Sequence, residues 1–296
     1  MAAIADLEDY VSGMRKSMDD KLWFLDFIGT DVTSVYDYGC ADGTLLRRVQ
    51  DERPDVCLYG YDNNCEMLKI ARNRLQNSAV SSRRMETARP GQVTVVSSVF
   101  HEIHSYGTSD SILSDYRHIF EIGSDYIAIR DMFYSFCMPE NASAKVVQAV
   151  RMASDKERLR EFEDVYGSID RNKNLIHWFL KYRYVENWRR ELTENYLPNS
   201  FEEFLNATPK EYDCVYAEMY TLPFLHDRIL SDYGIDWKYP NIRMDGYMWL
   251  CTPFSLDRRY PYVMYVHTSG NVDDGGGHGA NGAIRCRPAC IFKKSS

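Results

Sequence analysis

Val35-Tyr-Asp-Tyr-Gly-Cys-Ala-Asp-Gly43, followed by Thr44-Leu-Leu-Arg-Arg-Val-Gln50 and then Leu58-Tyr-Gly-Tyr-Asp62, decides the fold class. The first and last pieces are short apolar, β-branched or aromatic runs that end in turn residues. Helical sequence separates them. The order is therefore strand, glycine turn, helix, strand, acidic tip. This is the first half of a nucleotide-binding βαβ unit. Gly39 and Gly43 permit dihedrals that a Cβ forbids and bring the backbone close to a ligand. The free N–H groups at the start of the Thr44 helix face the same ligand. Asp62 stands about 20 residues past the glycine turn, where a strand-tip carboxylate accepts ribose hydroxyls.

The type of nucleotide follows from the turn. A dinucleotide fingerprint requires Gly-x-Gly-x-x-Gly, whose middle glycine admits a pyrophosphate. Counted from Gly39, that glycine is Ala41 and the third is Thr44. Asp37 at the strand end repels phosphate and suits a cationic ligand. The stretch resembles motif I of the class I S-adenosylmethionine-dependent methyltransferases, and Asp37, Gly39, Ala41, Gly43 and Asp62 match it position by position. An ordinary βα turn with a chance acid after the next strand explains each residue singly, but not the joint spacing. The resemblance implies a doubly wound, Rossmann-like α/β sheet and S-adenosylmethionine as cofactor. It also implies a cofactor site lined by Asp37, Gly39, Cys40, Ala41, Gly43, Asp62 and Asn63.

At 296 residues the chain accommodates one large α/β domain with a small appendage. A hydrophobic content of 45% suffices for a core, and a formal charge of −8 argues against a nucleic-acid coat. The amino terminus carries Asp6, Glu8 and Asp9 and shows no signal peptide, and no run is apolar enough to span a bilayer. The eight cysteines are scattered and read as reduced thiols of a cytoplasmic protein. Cys286 and Cys290 are the only tight pair, and nothing completes a zinc site. No metal is expected, and the oligomeric state is not readable.

Ile4, Leu7, Val11, Met14, Met18, Leu22 and Leu25 recur at helical steps, with Asp19-Asp20 as a possible divide. In the resembled family such a leader packs beside the cofactor mouth. Asn63-Asn64 opens a helix over 65–75, Asn being a good N-cap. Between Asn77 and Gln92 the pattern fades. The family's adenine-contacting acid has no clear counterpart there, because Glu86 lies in no convincing strand. Val93 to Phe100 is a central parallel strand, with His101-Glu-Ile-His104 at its carboxyl end. A helix follows over 109–120 and a strand over 126–133. Ser97-Ser-Val-Phe-His-Glu-Ile103 and Ile129-Arg-Asp-Met132 resemble motif IV and the fifth strand of small-molecule-type methyltransferases.

From about 139 to 210 the chain reads as a helical insertion, with a ring-rich helix over Asn174–Leu192 expected to close over an acceptor. A strand over 214–222 and a helix over 224–233 complete a first unit spanning 1–244. Residues 245–296 form a short β-rich tail with strands near 246–251, 262–267 and 289–292. Parts of it resemble a fragment of a C-type-lectin-like or formylglycine-enzyme-like module, either fused to the enzyme or forming its final hairpin.

The resulting expectation is methyl transfer from S-adenosylmethionine to a small-molecule acceptor, with RNA or a nucleoside as second choice and no membrane partner. Ser97, Ser98 and His101 form the floor between cofactor and acceptor. His101 is the candidate base and Glu102 its alternate. The other reading is that His101 only shapes the pocket floor or hydrogen-bonds to a neighbouring loop. The spacing of His101 and His104 does not match the zincin helix motif. Arg130 and Asp131 either bind a substrate carboxylate or pair with each other. Trp178, Tyr182, Tyr184 and Trp188 either stack on a planar substrate or build a core. The alternative function is a non-catalytic cofactor-binding fold that engages partners through its tail.

Overall fold

The central strands are apolar on both faces, and this divides the core in two. Val35, Leu58, Val93, Val95 and Ala128 pack on one side of the sheet with Leu45, Leu46, Val49 and Leu68. Their neighbours Tyr36, Tyr38, Val96, Ile127 and Ile129 pack on the other with Phe100, Ile119, Phe120 and Phe204. Period-two alternation sends successive side chains to opposite faces. A sheet whose two parities are both apolar must be covered by helices on both sides.

The computed structural model describes residues 18–75, 78–135, 139–221 and 223–236, and strands at 242–243, 248–253, 263–266, 272–273 and 287–294. The amino-terminal half runs α1 Met18–Lys21, β1 Ser34–Tyr38, α2 Thr44–Glu52, β2 Cys57–Tyr61, α3 Cys65–Arg74, β3 Ser78–Ser81, β4 Gln92–Ser97, α4 Phe100–Tyr106, α5 Ser109–Glu121 and β5 Tyr126–Arg130. The helical insertion holds α6 Ala144–Ala153, α7 Lys156–Tyr166, α8 Asn172–Lys181, α9 Trp188–Glu191 and α10 Phe201–Ala207. Then come β6 Tyr212–Tyr220, α11 Pro223–Tyr233, β7 Ile242–Arg243, β8 Met248–Pro253, β9 Val263–Val266, β10 Val272–Asp273 and β11 Arg287–Lys294.

The main sheet has eight strands in the order β3-β2-β1-β4-β5-β11-β6-β7. β3, β2, β1, β4 and β5 are mutually parallel. β11 enters antiparallel to both β5 and β6. The α/β, doubly wound sheet is as expected.

Several boundaries differ from the sequence reading. β4 stops at Ser97, and Phe100 opens a helix, so His101 sits in the first turn of α4 and not at a strand end. β3 exists despite its faint pattern: it is a four-residue edge strand paired with β2. Asp19 and Asp20 lie within the short helix α1; the leader before Met18, and with it the expected divide, lies outside the described residues. The single helix expected over Asn174–Leu192 is two, because the chain leaves helix between α8 and α9.

The tail is not one module. β11 belongs to the main sheet, while β8, β9 and β10 form a separate three-stranded antiparallel sheet. A lectin-like fragment needs its closing strand, and that strand is committed elsewhere. The final-hairpin alternative is the nearer one, since β11 pairs with β6 through eight residues.

The insertion has its own core, built from Val147, Val150, Leu159, Phe162, Leu175 and Trp178, with Leu225 and Ile229 of α11 joining it. Trp178 is 1% exposed and its Nε1 donates to Tyr233 Oη at 3.0 Å. Trp188 is likewise buried, and its Nε1 donates to Glu161 at 2.7 Å. Both rings are core, not a stacking platform for a substrate. Trp178→Ala should therefore cost about 3–5 kcal/mol of stability, read as an early unfolding midpoint in denaturant. An unchanged midpoint would show that the ring does not carry this core.

Candidate active site

A cleft of about 390 Å³ opens at the carboxyl ends of β1, β2 and β4. Its floor is the glycine turn. Gly39 has φ +90°, and a Cβ there would lie 2.4 Å from a Val99 methyl. Gly43 has φ +75° and serves a different purpose. A Cβ on it would lie 2.9 Å from Leu75 and 3.0 Å from Ala71, so it lets α2 start hard against α3. Gly43 is the one expected cofactor residue that does not line the cleft. Ala41 and Ser98 are not glycines, yet they hold φ +43° and +63°. Such conformations cost roughly 1–3 kcal/mol each and gather where a site demands them. Both residues line this cleft.

Asp62 fastens the turn. Its Oδ2 accepts the Ala41 N–H at 2.8 Å and its Oδ1 accepts the Asn64 N–H at 2.7 Å. The carboxylate expected to hold a ribose thus also holds the loop, one lone pair of each oxygen going to backbone. Asn64 caps α3 as expected, accepting from Glu66 and Met67 N–H.

The side of the cleft formed by the glycine turn is acidic. Asp37 is buried, and desolvation pushes its carboxyl up to about 7, with Lys21 opposing and Asp62 and Asp42 adding to the rise. Burial also raises Asp62, against the two amide hydrogen bonds. The Ser97 hydroxyl is buried and has no hydrogen-bond partner among the described residues.

On the other side stand His101 and Glu102. His101 Nδ1 lies 2.8 Å from Asp131 Oδ1, and both side chains are buried. Burial depresses the imidazole, but the Asp131 charge and hydrogen bond outweigh it, and the net shift is upward. Burial raises the Glu102 carboxyl too. Arg190 donates to Glu102 at 3.2 Å and to Glu194 at 2.8 Å. Arg130 and Asp131, expected either to bind a substrate carboxylate or to pair with each other, each have another partner in the protein. Arg130 Nε donates to Asp20 of α1 at 2.7 Å, and Asp131 turns to His101.

Asp37, Gly39, Cys40, Ala41, Asp62, Asn63, Ser97, Ser98, His101 and Glu102 all line this one cleft. Sequence reasoning missed Lys21, Arg84, Arg190 and Glu194. Arg84 follows the faint β3 and pairs with Asp115, while Glu86 points to solvent. Arg190 and Glu194 stand at i,i+4 spacing, a signal visible in the sequence. The insertion lines the second wall of the cleft through Tyr184, Asn187, Arg190 and Tyr196.

No protein-family profile matches the chain, and no curated protein matches it. Solved structures do. A SAM-dependent methyltransferase from Anabaena variabilis aligns over 95% of this chain and 85% of its own, at 10% identity and a TM-score of 0.43. A TehB-like SAM-dependent methyltransferase from Corynebacterium glutamicum covers 42% of this chain and 72% of its own, at 11% identity and 0.35. A SAM-bound amino pentose methyltransferase from Micromonospora echinaspora covers 44% and 58%, at 18% identity and 0.34. This chain therefore spans less than two thirds of that last protein.

Asp62→Ala removes two charge-assisted hydrogen bonds from the loop. Amide exchange at Ala41 and Asn64 should accelerate by about 10–100-fold. Unchanged protection at both amides would mean that the turn holds its shape without Asp62.

Proposed function

We propose that this protein is an S-adenosylmethionine-dependent methyltransferase acting on a small-molecule acceptor. The observation that carries the reading is the union, in one cleft, of an acid-lined glycine turn and a buried imidazole paired with a carboxylate. The residues fit the cofactor on their own chemistry. Asp37 and Asp62 favour a cation where a pyrophosphate would be repelled. Ser97 offers a buried hydroxyl with no partner among the described residues. The second lone pair on each Asp62 oxygen remains for ribose hydroxyls.

When bound, S-adenosylmethionine supplies an activated sulfonium methyl. The protein's own tasks are then alignment, exclusion of water and removal of a proton. His101 accepts the acceptor's proton, and Glu102 is the alternate base. The insertion wall, held by Arg190 and Glu194 against α4, shields the acceptor. Carboxylates outnumber cations along the lining, which disfavours an RNA backbone and favours a compact acceptor.

Calorimetry with S-adenosylmethionine tests the cofactor, and a labelled methyl donor offered to pools of small acceptors tests the reaction. No binding by either S-adenosylmethionine or S-adenosylhomocysteine would end this reading. The Asp37 carboxyl is neutral below about 7 and ionised above it. Affinity for the sulfonium should therefore rise with pH through that value, and binding at pH 6 should release protons. The uncharged S-adenosylhomocysteine should show the smaller dependence. Equal dependence for both would remove Asp37 as the cation's partner.

His101 works as a base only when neutral. Because its pKa is raised, kcat/KM should climb with pH and inflect above the ordinary imidazole value of 6.5. His101→Gln should lower turnover by about 10²–10⁴-fold while sparing cofactor affinity. A variant with full turnover would reduce His101 to scaffolding.

A further inference from the structure

We infer that Asp131 is a positioning residue for His101, fixing the imidazole as the Nδ1–H tautomer so that Nε2 is the basic nitrogen of the cleft. This rests on the reading of His101 as base and deepens it. Four features of the geometry carry it. Asp131 is 1% exposed and sits just past the end of β5. Its Oδ2 accepts the Phe100 N–H at 2.6 Å. Its Oδ1 accepts the Met132 N–H at 2.8 Å. The same Oδ1 lies 2.8 Å from His101 Nδ1.

Both backbone groups are donors and can be nothing else. They take one lone pair on each oxygen and stabilise the ionised carboxylate over the acid, so the oxygen facing the imidazole is an acceptor. An ionised carboxylate meets three donors at once, and the third is His101 N–H. The shift of Asp131 agrees: burial works to raise its carboxyl, yet His101 and the two amides hold it below the ordinary value. With Nδ1 committed, the lone pair of the neutral ring is on Nε2. A proton taken from an acceptor then goes to Nε2, and the Nδ1–H bond to Asp131 persists throughout.

The Phe100 contact adds a second consequence. Phe100 N–H is among the donors that the first turn of α4 cannot satisfy internally. One carboxylate therefore sets both where α4 begins and how the ring one residue later is oriented. Tyr196 completes the seating, its ring edge-on to His101 at 5.0 Å between centroids. The other charged or titratable groups around the imidazole are Glu102 on its own helix, and Glu194, Arg190 and His177 from the insertion. Arg190 pairs with both glutamates, which leaves Asp131 as the carboxylate bonded to the ring.

The test is ¹⁵N NMR of the histidine side chains in the full chain, which requires no acceptor. Wild-type His101 should show a protonated Nδ1 and a bare Nε2 at high pH, with a midpoint above 6.5. In Asp131→Asn the midpoint should fall by about one unit or more, the tautomer should shift toward Nε2–H, and turnover should drop by about 10²-fold or more. Asp131→Glu keeps the charge and should titrate above Asp131→Asn. An Nε2–H tautomer in the wild type overturns the assignment, as does an Asp131→Asn that folds and titrates like the parent. If Asp131→Asn fails to fold, the wild-type spectrum still decides. If His101 behaves as expected and no acceptor is methylated, the functional reading fails while the pair stands.

Discussion

Two backbone amides converge on the Asp62 carboxylate, and the rest of the cleft depends on that convergence. One comes from the turn after β1 and the other from the entry to α3. β1 and β2 run side by side in parallel, with Asp37 opposite Gly60 and Tyr38 opposite Tyr61. The two strand tips therefore arrive together, and the carboxylate ties them. Ala41 is held in a conformation that a free residue of its type rarely visits. Asp62 is thus the brace that ties the loop to the entry of α3.

The far wall is held by a different kind of interaction. Arg190, Glu194, Glu191 and Lys181 are all buried. Lys181 lies 3.9 Å from the centre of the Tyr196 ring and bonds the carbonyls of Glu191 and Glu194. Tyr106 of α4 donates to Glu194 at 2.6 Å, and Asn195 N–H donates to Ser105 at 2.7 Å. Buried charges are costly unless each is paired, so removing one partner of such a network typically loses several kcal/mol.

Much of this was legible in the chain itself. Asp37, Gly39, Ala41 and Asp62 carry their meaning in spacing, and local spacing survives folding. The helix start at Asn63-Asn64 was equally plain, because capping is settled within three or four residues. What escaped depends on distant partners. The pairing of Asp131 with His101 spans 30 residues and that of Arg130 with Asp20 spans 110. β3 escaped because an edge strand of four residues needs little apolar pattern. Trp178 and Trp188 left two readings open because helical periodicity is the same for a lid and for a core.

β11 carries a consequence for how the chain reaches this state. It lies between β5 and β6, pairing Ala289 with Arg130 on one side and with Glu218 on the other. Until residues near 290 are synthesised, β5 and β6 present bare edges with no neighbour to share. The parallel half from β1 to β5 can assemble early from near contacts, whereas completion waits on the most remote pairing in the sheet. During synthesis the unfilled gap offers two strand edges to any other extended segment, so the nascent protein is most exposed to mispairing just before its closing strand arrives.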